Sequence, residues 1–483
     1  MSDTGVSRRS FLKGTAAAAA TVLILPKHVY GANERPNLAC IGVGGKGGGD
    51  TSDARNCGAN VVAMCDTNST RMDEKTKEFP NAKKYRDFRK LLDEMDKEID
   101  AVTVSTPDHT HFPASMCAAM RGKHVFSQKP LTHNIWEARR IAQVVREKNL
   151  ASQMGIQGHA NEGARLLCEW VWSGILGDVT EVHYYSNRPV WPQGQGRPSK
   201  VDPVPGDLDW NLWLSVAPER PYNRAYCPFA WRGWWDYGAG AIGDIACHTT
   251  DAGFWALDLR CPTSVEAKTS PVNSESFPSW SIITFQFPAR GNLAPVKVVW
   301  HDGEKGRNFP KPEQLEKDRK LPDECGAIFY GTKATVLQPF YADWVRIIPE
   351  TKQKELEPGK NVPKTIPRSP GHMKEYIQAI KGGKPAAACF EYAAAATEFA
   401  HLGNLAVRAQ TKITWDQKAM KTDVAEVNKY VRREPRKGYE EFYKGPDVPP
   451  PPQPAVGAPP DAKINQKTGE KAEAKAETKG AAK

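Results

Sequence analysis

Three absences narrow the reading of this chain first. Its ten cysteines include no CxxC pair and no metal-type spacing, so neither a zinc ribbon nor a redox dithiol is expected and no metal is assigned. Cys40, Cys65 and Cys117 fall on apolar stretches that read as buried elements, where a free thiol behaves as a small hydrophobe. One bridge among Cys227, Cys261 and Cys325 stays open. There is no stripe of Lys and Arg interleaved with aromatics, which argues against a nucleic-acid partner. The apolar run Ala16–Leu25 is too short to span a bilayer.

At 483 residues, with 40% hydrophobic and 25% charged side chains, the chain has room for two globular domains plus appendages. Part of its formal charge of +10 lies at the ends, in the basic first 32 residues and the tail from Pro446. Ser7-Arg8-Arg9-Ser10-Phe11-Leu12-Lys13 ahead of the apolar run has the order of an export signal. It resembles a twin-arginine signal, which implies the twin-arginine export machinery as partner and a periplasmic location. Cleavage is expected near Gly31-Ala32. At the other end, Pro449–Pro452 followed by Lys/Glu/Ala repeats cannot bury a core and reads as disordered.

After the signal, Asn37–Ile41 is a short apolar strand that runs into Gly42-Val43-Gly44-Gly45-Lys46-Gly47. This is GxGxxG: Gly42 for the tight turn, Gly44 for close approach of backbone to a pyrophosphate, Gly47 for helix–strand packing. A second strand, Asn60–Cys65, ends at Asp66, whose carboxylate can accept ribose hydroxyls and repels a 2′-phosphate. NAD is expected, with NADP left open by Arg71. A charged helix over 83–95 leads to a third strand at 101–105, then Thr106-Pro107-Asp108-His109-Thr110-His111. A helix over 116–121 follows, capped by Gly122. The strand His124–Gln128 then presents Lys129 at its mouth, ahead of Pro130. Strand and helix at this rhythm make a doubly wound parallel sheet, an α/β Rossmann fold.

Gly42-x-Gly44-x-x-Gly47, the Thr106–His111 hexapeptide, Gly122-Lys123-His124-Val125 and Gln128-Lys129-Pro130-Leu131 together resemble the Gfo/Idh/MocA oxidoreductases. That family includes glucose–fructose oxidoreductase and inositol dehydrogenases, and the resemblance covers roughly residues 36–420. It implies a second α/β domain built on an open, mainly antiparallel sheet, and a homodimer or tetramer. The expected division is a signal at 1–32, the NAD domain at 33–160, a substrate and oligomerisation domain at 161–445 and a tail at 446–483. The family's usual triplet is Glu-Lys-Pro, so Gln128 is a departure that removes a negative charge next to Lys129. Thr106, Pro107, His111, Gln128, Lys129 and Gln157 join Gly42, Gly44, Gly47 and Asp66 as expected cofactor contacts.

Beyond Asn161 the composition changes. Six of the fourteen tryptophans, Trp191, Trp210, Trp213, Trp231, Trp234 and Trp235, cluster among Pro, Gly and Arg. Indole faces stack on sugar C–H surfaces, so a carbohydrate substrate is expected, with Arg188, Trp191, Trp231 and Arg232 as contacts. In the Gly-rich run Trp234–His248, Asp244 and His248 stand four residues apart, on one face if the segment is helical. The resemblance makes these the catalytic pair beside Lys129: His248 as base, Lys129 on the substrate oxygen, Asp244 orienting His248 or the substrate. His159 and Asp251 receive no role. The reading is an NAD(H)-dependent oxidoreductase of a sugar, polyol or glycoside. Its rivals are a redox-neutral NAD-dependent glycosidase, lyase or epimerase, and a binding protein on a decayed enzyme scaffold.

Overall fold

The structure, a computed structural model, describes residues 34–446 and 448–449. The twin-arginine segment and nearly all of the Pro/Lys/Glu/Ala tail lie outside the described residues. No helix among the described residues is long and apolar enough to cross a membrane.

The first layer is a six-stranded parallel sheet of β1 (Asn37–Ile41), β2 (Asn60–Cys65), β3 (Lys83–Tyr85), β4 (Ala101–Val104), β5 (His124–Gln128) and β6 (Ser152–Gly155), in the order β3-β2-β1-β4-β5-β6. The central strands β1 and β4 are buried almost throughout, as parallel strands covered on both faces must be. Strand order reverses between β1 and β4, so the segments after those two strands open a crevice at the carboxyl edge, where such sheets bind ligands.

Two expected elements differ. Lys83–Tyr85 is a strand and not the start of a helix: it pairs in parallel with Ala63–Cys65, its lysines exposed at the sheet edge. The helix begins only at Phe88, where the Asp87 side chain accepts the Arg89 N–H as its cap. The helix expected over 116–121 starts earlier and runs Asp108–Met120, with Pro107 in its N-cap position. All but the last of its residues are buried, so no polar stripe marks its first turns.

The second layer is a nine-stranded, mostly antiparallel sheet. Its strands are β7 (Val179–Ser186), β8 (Ser264–Thr269), β9 (Ser281–Phe287), β10 (Val296–His301), β11 (Cys325–Gly331), β12 (Thr335–Pro339), β13 (Arg346–Ile348), β14 (Ile413–Asp416) and β15 (Lys421–Thr422). They follow the order β13-β12-β11-β7-β10-β9-β8-β14-β15, with β7 and β10 parallel.

Helix Phe390–Ala409 ties the two layers together. Phe399 stacks on Phe285 of β9 at 4.2 Å, while Glu398 pairs with the fully buried Arg139 of helix Ile135–Glu147 at 2.6 Å. Two later pieces return to the first layer. Helix His372–Ile380 lays Met373, Tyr376 and Ile377 on Leu38, Ala101 and Phe126. Past β15 the chain crosses back, stacking Tyr443 on Trp136 and setting Tyr439 against Phe88. All ten cysteines are free thiols, so Cys227, Cys261 and Cys325 make no bridge.

Candidate active site

The cradle at the end of β1 follows from what its glycines exclude. Gly42 has φ +80°, and a Cβ there would lie 2.5 Å from the Ser105 carbonyl oxygen. A Cβ on Gly47 would lie 2.0 Å from the Gly42 oxygen, so this glycine closes helix Lys46–Asn56 onto the strand. Asp66, at the end of β2, steadies the loop: it accepts the N–H of Val43 at 3.0 Å, Gly44 at 3.3 Å and Asn68 at 2.9 Å. The cradle fits a dinucleotide, with backbone exposed at the pyrophosphate turn and a carboxylate at the ribose end.

Under this loop sits a carboxylate that the motif does not announce. Asp50 is 2% exposed and accepts the Ser105 hydroxyl at 2.7 Å and the Gln128 amide at 2.9 Å, while pairing with Lys46. This accounts for glutamine where the family has glutamate. A glutamate at 128 would put a second buried carboxylate against Asp50, and like charges at that distance resist joint ionisation.

Lys129 draws its carboxylate from the second layer. Its ammonium donates to the Asp244 carboxylate at 2.7 Å and to the Asp244 carbonyl at 2.8 Å. Arg232 donates to the same carboxylate oxygen at 3.1 Å. Burial pushes the Asp244 carboxyl up, but the Lys129 and Arg232 charges outweigh it and hold it at about 2. Asp244 lies on a π-helical turn, Ile242–Ala246, entered through Gly240 at φ +67°. Such turns widen a helix locally and recur at functional sites.

His248 is not the partner of Asp244. Its Nδ1 is buried without a hydrogen-bond partner, and its ring packs edge-on to Phe340 and Tyr341. Burial, then the Lys129 charge, drive its pKa well below 6.5, so the ring is neutral. The four-residue spacing suggested a bonded pair; two cations on neighbouring segments take the carboxylate instead.

The cleft between the layers has a volume of about 360 Å³. Gly42, Gly44, Asp66, Thr106 and Pro107 line it on the nucleotide side, Trp231 and Arg232 on the other, with Gln128, Lys129 and Asp244 between them. Six expected site residues do not line it. Gly47 packs beneath the loop. His111 is buried with its ring nitrogens 2.9 Å from the Thr106 carbonyl and 2.8 Å from the Pro130 carbonyl, tying together the segments that carry Thr106 and Lys129. Gln157 begins a short 3₁₀ turn beyond β6. His248 is buried beside the cleft, next to Phe340 and Tyr341. Trp191 stands behind Arg232, 5.8 Å above its ring, and Phe229, edge-on at 6.1 Å, both of which line the cleft. Arg188 turns to Asn187 and Glu324. Trp210 and Trp234 fill a separate small core with Tyr226 and Tyr237.

Other lining residues went unassigned in the sequence. Asp108 is buried in the cleft wall and accepts the Ala239 N–H at 3.0 Å. Burial, then the Asp244 charge, push its carboxyl up to about 8, so it is protonated at neutral pH. It lies inside the Thr-Pro-Asp-His motif, but only the fold of Gly238–Ala239 over it gives it these neighbours. Arg86 and the late Tyr439 also line the cleft, together with Arg71, the residue that left NADP open. Among the described residues, no group of three or more His, Cys, Asp or Glu side chains is placed to hold a metal ion.

Comparison with known proteins agrees with this geometry. The profile of an oxidoreductase family with an NAD-binding Rossmann fold, GFO_IDH_MocA, matches residues 37–156, and that family's C-terminal alpha/beta domain matches residues 171–309. The chain belongs to the Gfo/Idh/MocA oxidoreductases. A twin-arginine translocation signal matches residues 5–24 of this family member.

Among its relatives, levoglucosan dehydrogenase of Pseudarthrobacter phenanthrenivorans is 26% identical over 165 residues, 34% of each chain. Myo-inositol 2-dehydrogenase of Thermotoga maritima is 28% identical over 156 residues, 32% of this chain and 46% of that one. The matches thus span a third to a half of these relatives. Two solved structures share the fold at TM-score 0.55: the WlbA dehydrogenase of Bordetella pertussis with NADH and UDP-GlcNAcA, at 16% identity, and levoglucosan dehydrogenase with NADH and levoglucosan, at 17%. Each superposition covers 79% of this Gfo/Idh/MocA chain and 99% of the other.

Proposed function

We propose that this Gfo/Idh/MocA oxidoreductase is an exported, periplasmic dehydrogenase that oxidises a CH–OH carbon of a sugar, polyol or glycoside with NAD held in the cleft. The observation that carries the reading is the Lys129–Asp244–Arg232 cluster, poised between the glycine cradle and the Trp231 wall. The bound cofactor supplies the hydride acceptor. Gly42, Gly44 and Asp66 would hold its nucleotide half; the Asp66 carboxylate favours NAD over NADP.

The chain's own residues do the rest. An ammonium has three N–H donors, and two of those on Lys129 are committed to Asp244, which leaves one for a substrate oxygen. As the carbon loses hydride, its hydroxyl loses a proton, and negative charge at that oxygen is met by Lys129. A preplaced donor of this kind contributes about 3 kcal/mol to the barrier. His248 is the base in this reading: it is neutral, and the charges of Lys129 and Asp244 both act on it. Trp231 offers an apolar face for the sugar ring, and Arg232 a donor for its hydroxyls. Because the signal exports a folded protein, the cofactor would be loaded before transport and kept, and a second sugar would return the hydride.

The test is direct. Mature protein is purified without added cofactor, incubated with a panel of sugars and glycosides, denatured, and its nicotinamide identified by chromatography. About one NAD per chain, reduced by some of the sugars, is expected. Protein that neither contains nor takes up nicotinamide would overturn the reading. So would release of an aglycone from the panel while NAD stays oxidised.

A further inference from the structure

The Gly238–Ala239 segment walls off more than the cleft. Its Ala239 N–H faces Asp108 on the cleft side, while its carbonyls accept His133 Nε2 at 3.0 Å and the Asn404 amide at 3.0 Å. His133 and Asn404 line a second cavity of about 170 Å³ that shares no charged side chain with the first.

This second cavity is cationic. Arg408, Arg432, Arg433 and Lys429 line it, against Asp236 and Glu434. Asp236 is already paired with Arg220, and Glu434 is exposed. The Arg408 guanidinium carbon lies 3.7 Å from the ring centres of both Trp235 and Tyr430, so two aromatic rings hold the group in place. Among the described residues no carboxylate comes within ion-pair distance of it. Three further polar atoms in the lining are buried with no partner: Arg433 Nη1, Asn134 Nδ2 and Asn404 Oδ1. Asn134 and Asn404 are only 4% and 7% exposed, and an orphaned buried polar group is costly unless something in the cavity meets it.

Two orphaned donors, an orphaned acceptor and a rigid guanidinium define what fits. We infer that this cavity is a binding site for a small oxyanion that also carries a hydroxyl, the chemistry shared by hydrogen phosphate and a short hydroxycarboxylate. Its oxygens accept from Arg408, Arg433 and Asn134, and its hydroxyl donates to Asn404. Arginine suits such a ligand because its forked donors match planar or tetrahedral oxyanions. The site is independent of the sugar chemistry proposed above, and it abuts the segment that leads into Asp244.

The experiment is calorimetric titration of the NAD-loaded protein, so that the dinucleotide cleft is filled, with inorganic phosphate and with glycolate at constant ionic strength set by chloride. One saturable site per chain for either probe is expected, and the tighter probe identifies the source of the oxyanion. Two variants locate it. Arg408→Met keeps the stem between the rings and removes the charge. Asn134→Asp keeps the oxygen that caps the next helix and turns the orphaned donor into an anionic acceptor. Each is expected to weaken the bound probe at least tenfold with NAD content unchanged. Absence of saturable binding of both probes would overturn the proposal, as would binding that both variants leave intact.

Discussion

His248 and His159 are each set against an aspartate, and their fates are opposite. His248 lies four residues from Asp244, yet its Nδ1 has no partner and Asp244 serves Lys129 and Arg232. His159 lies 92 residues from Asp251, yet its Nδ1 is 3.0 Å from both carboxylate oxygens. Tyr392 donates to the same carboxylate at 2.7 Å, and Trp255 stacks on the imidazole at 4.6 Å. The bonded pair resembles catalytic machinery but is sealed in the core, 3% and 2% exposed, with neither residue lining the cleft. The unbonded pair is the one beside it. A carboxylate goes to whichever buried donors reach it first, and those are set by packing across the sheet layers, not by spacing along one helix.

That contrast can be broken at either end. The largest effect expected is on Lys129→Met, which removes the donor at the substrate oxygen: single-turnover reduction of bound NAD should slow by at least a hundredfold while NAD content holds. Asp251→Asn should do the reverse. It replaces the carboxylate that His159 Nδ1 meets through both oxygens with an amide that keeps one acceptor and loses the charge, so thermal unfolding should register a loss of about 1–3 kcal/mol with turnover nearly intact. Slow turnover with unchanged stability would show that the sealed pair is catalytic after all.

The Gln128–Asp50 contact offers a sharper cycle. Gln128→Glu should loosen NAD retention by setting two carboxylates together, and adding Asp50→Asn should restore it. Equilibrium dialysis of the labelled cofactor reads both. Failure of the double variant to recover would mean that the loss does not come from repulsion between these two carboxylates.

Acid should weaken the fold through its buried imidazoles. Burial holds His109 and His372 at about 3, and His111, His301 and His401 at about 4, against 6.5 when unfolded. Between those values the unfolded chain binds protons that the folded one refuses, so stability falls as pH drops from 6.5 toward 4. Asp108, raised to about 8, and Asp302, raised to about 6, act the other way and offset part of this. Melting temperature followed from pH 6.5 to 4 should decline; a flat profile would contradict the burial of these rings. The smallest effect is expected for Arg188→Ala, whose surface pair with Glu324 is worth less than about 1 kcal/mol in a denaturant titration.

The first layer was legible because its signals are local. A strand, three spaced glycines and an aspartate at the next strand end each depend on a few adjacent residues, and Gly42 and Gly47 make the tight turn and the close helix–strand packing that their positions imply. Lys83–Tyr85 was hidden because three lysine-rich residues carry no strand pattern; only pairing with β2 makes them one. The start of helix Asp108–Met120 was hidden by burial on every side, which erases helical periodicity. At the site, Lys129 and Asp244 were found, but their bond to each other was not. It joins residues 115 apart through a contact between layers. Asp50 was missed for the same reason: it reads as one polar residue in a glycine-rich helix until Ser105 and Gln128 fold over it.

The most direct test of the account is the rate of NAD reduction in Asp244→Asn, measured in a single turnover with a sugar that reduces the wild type. The account predicts a loss approaching that of Lys129→Met, at full NAD content and with the melting temperature within a few degrees, because the carboxylate holds the ammonium in place. A rate near wild type would show that Lys129 does not depend on Asp244 and would contradict it.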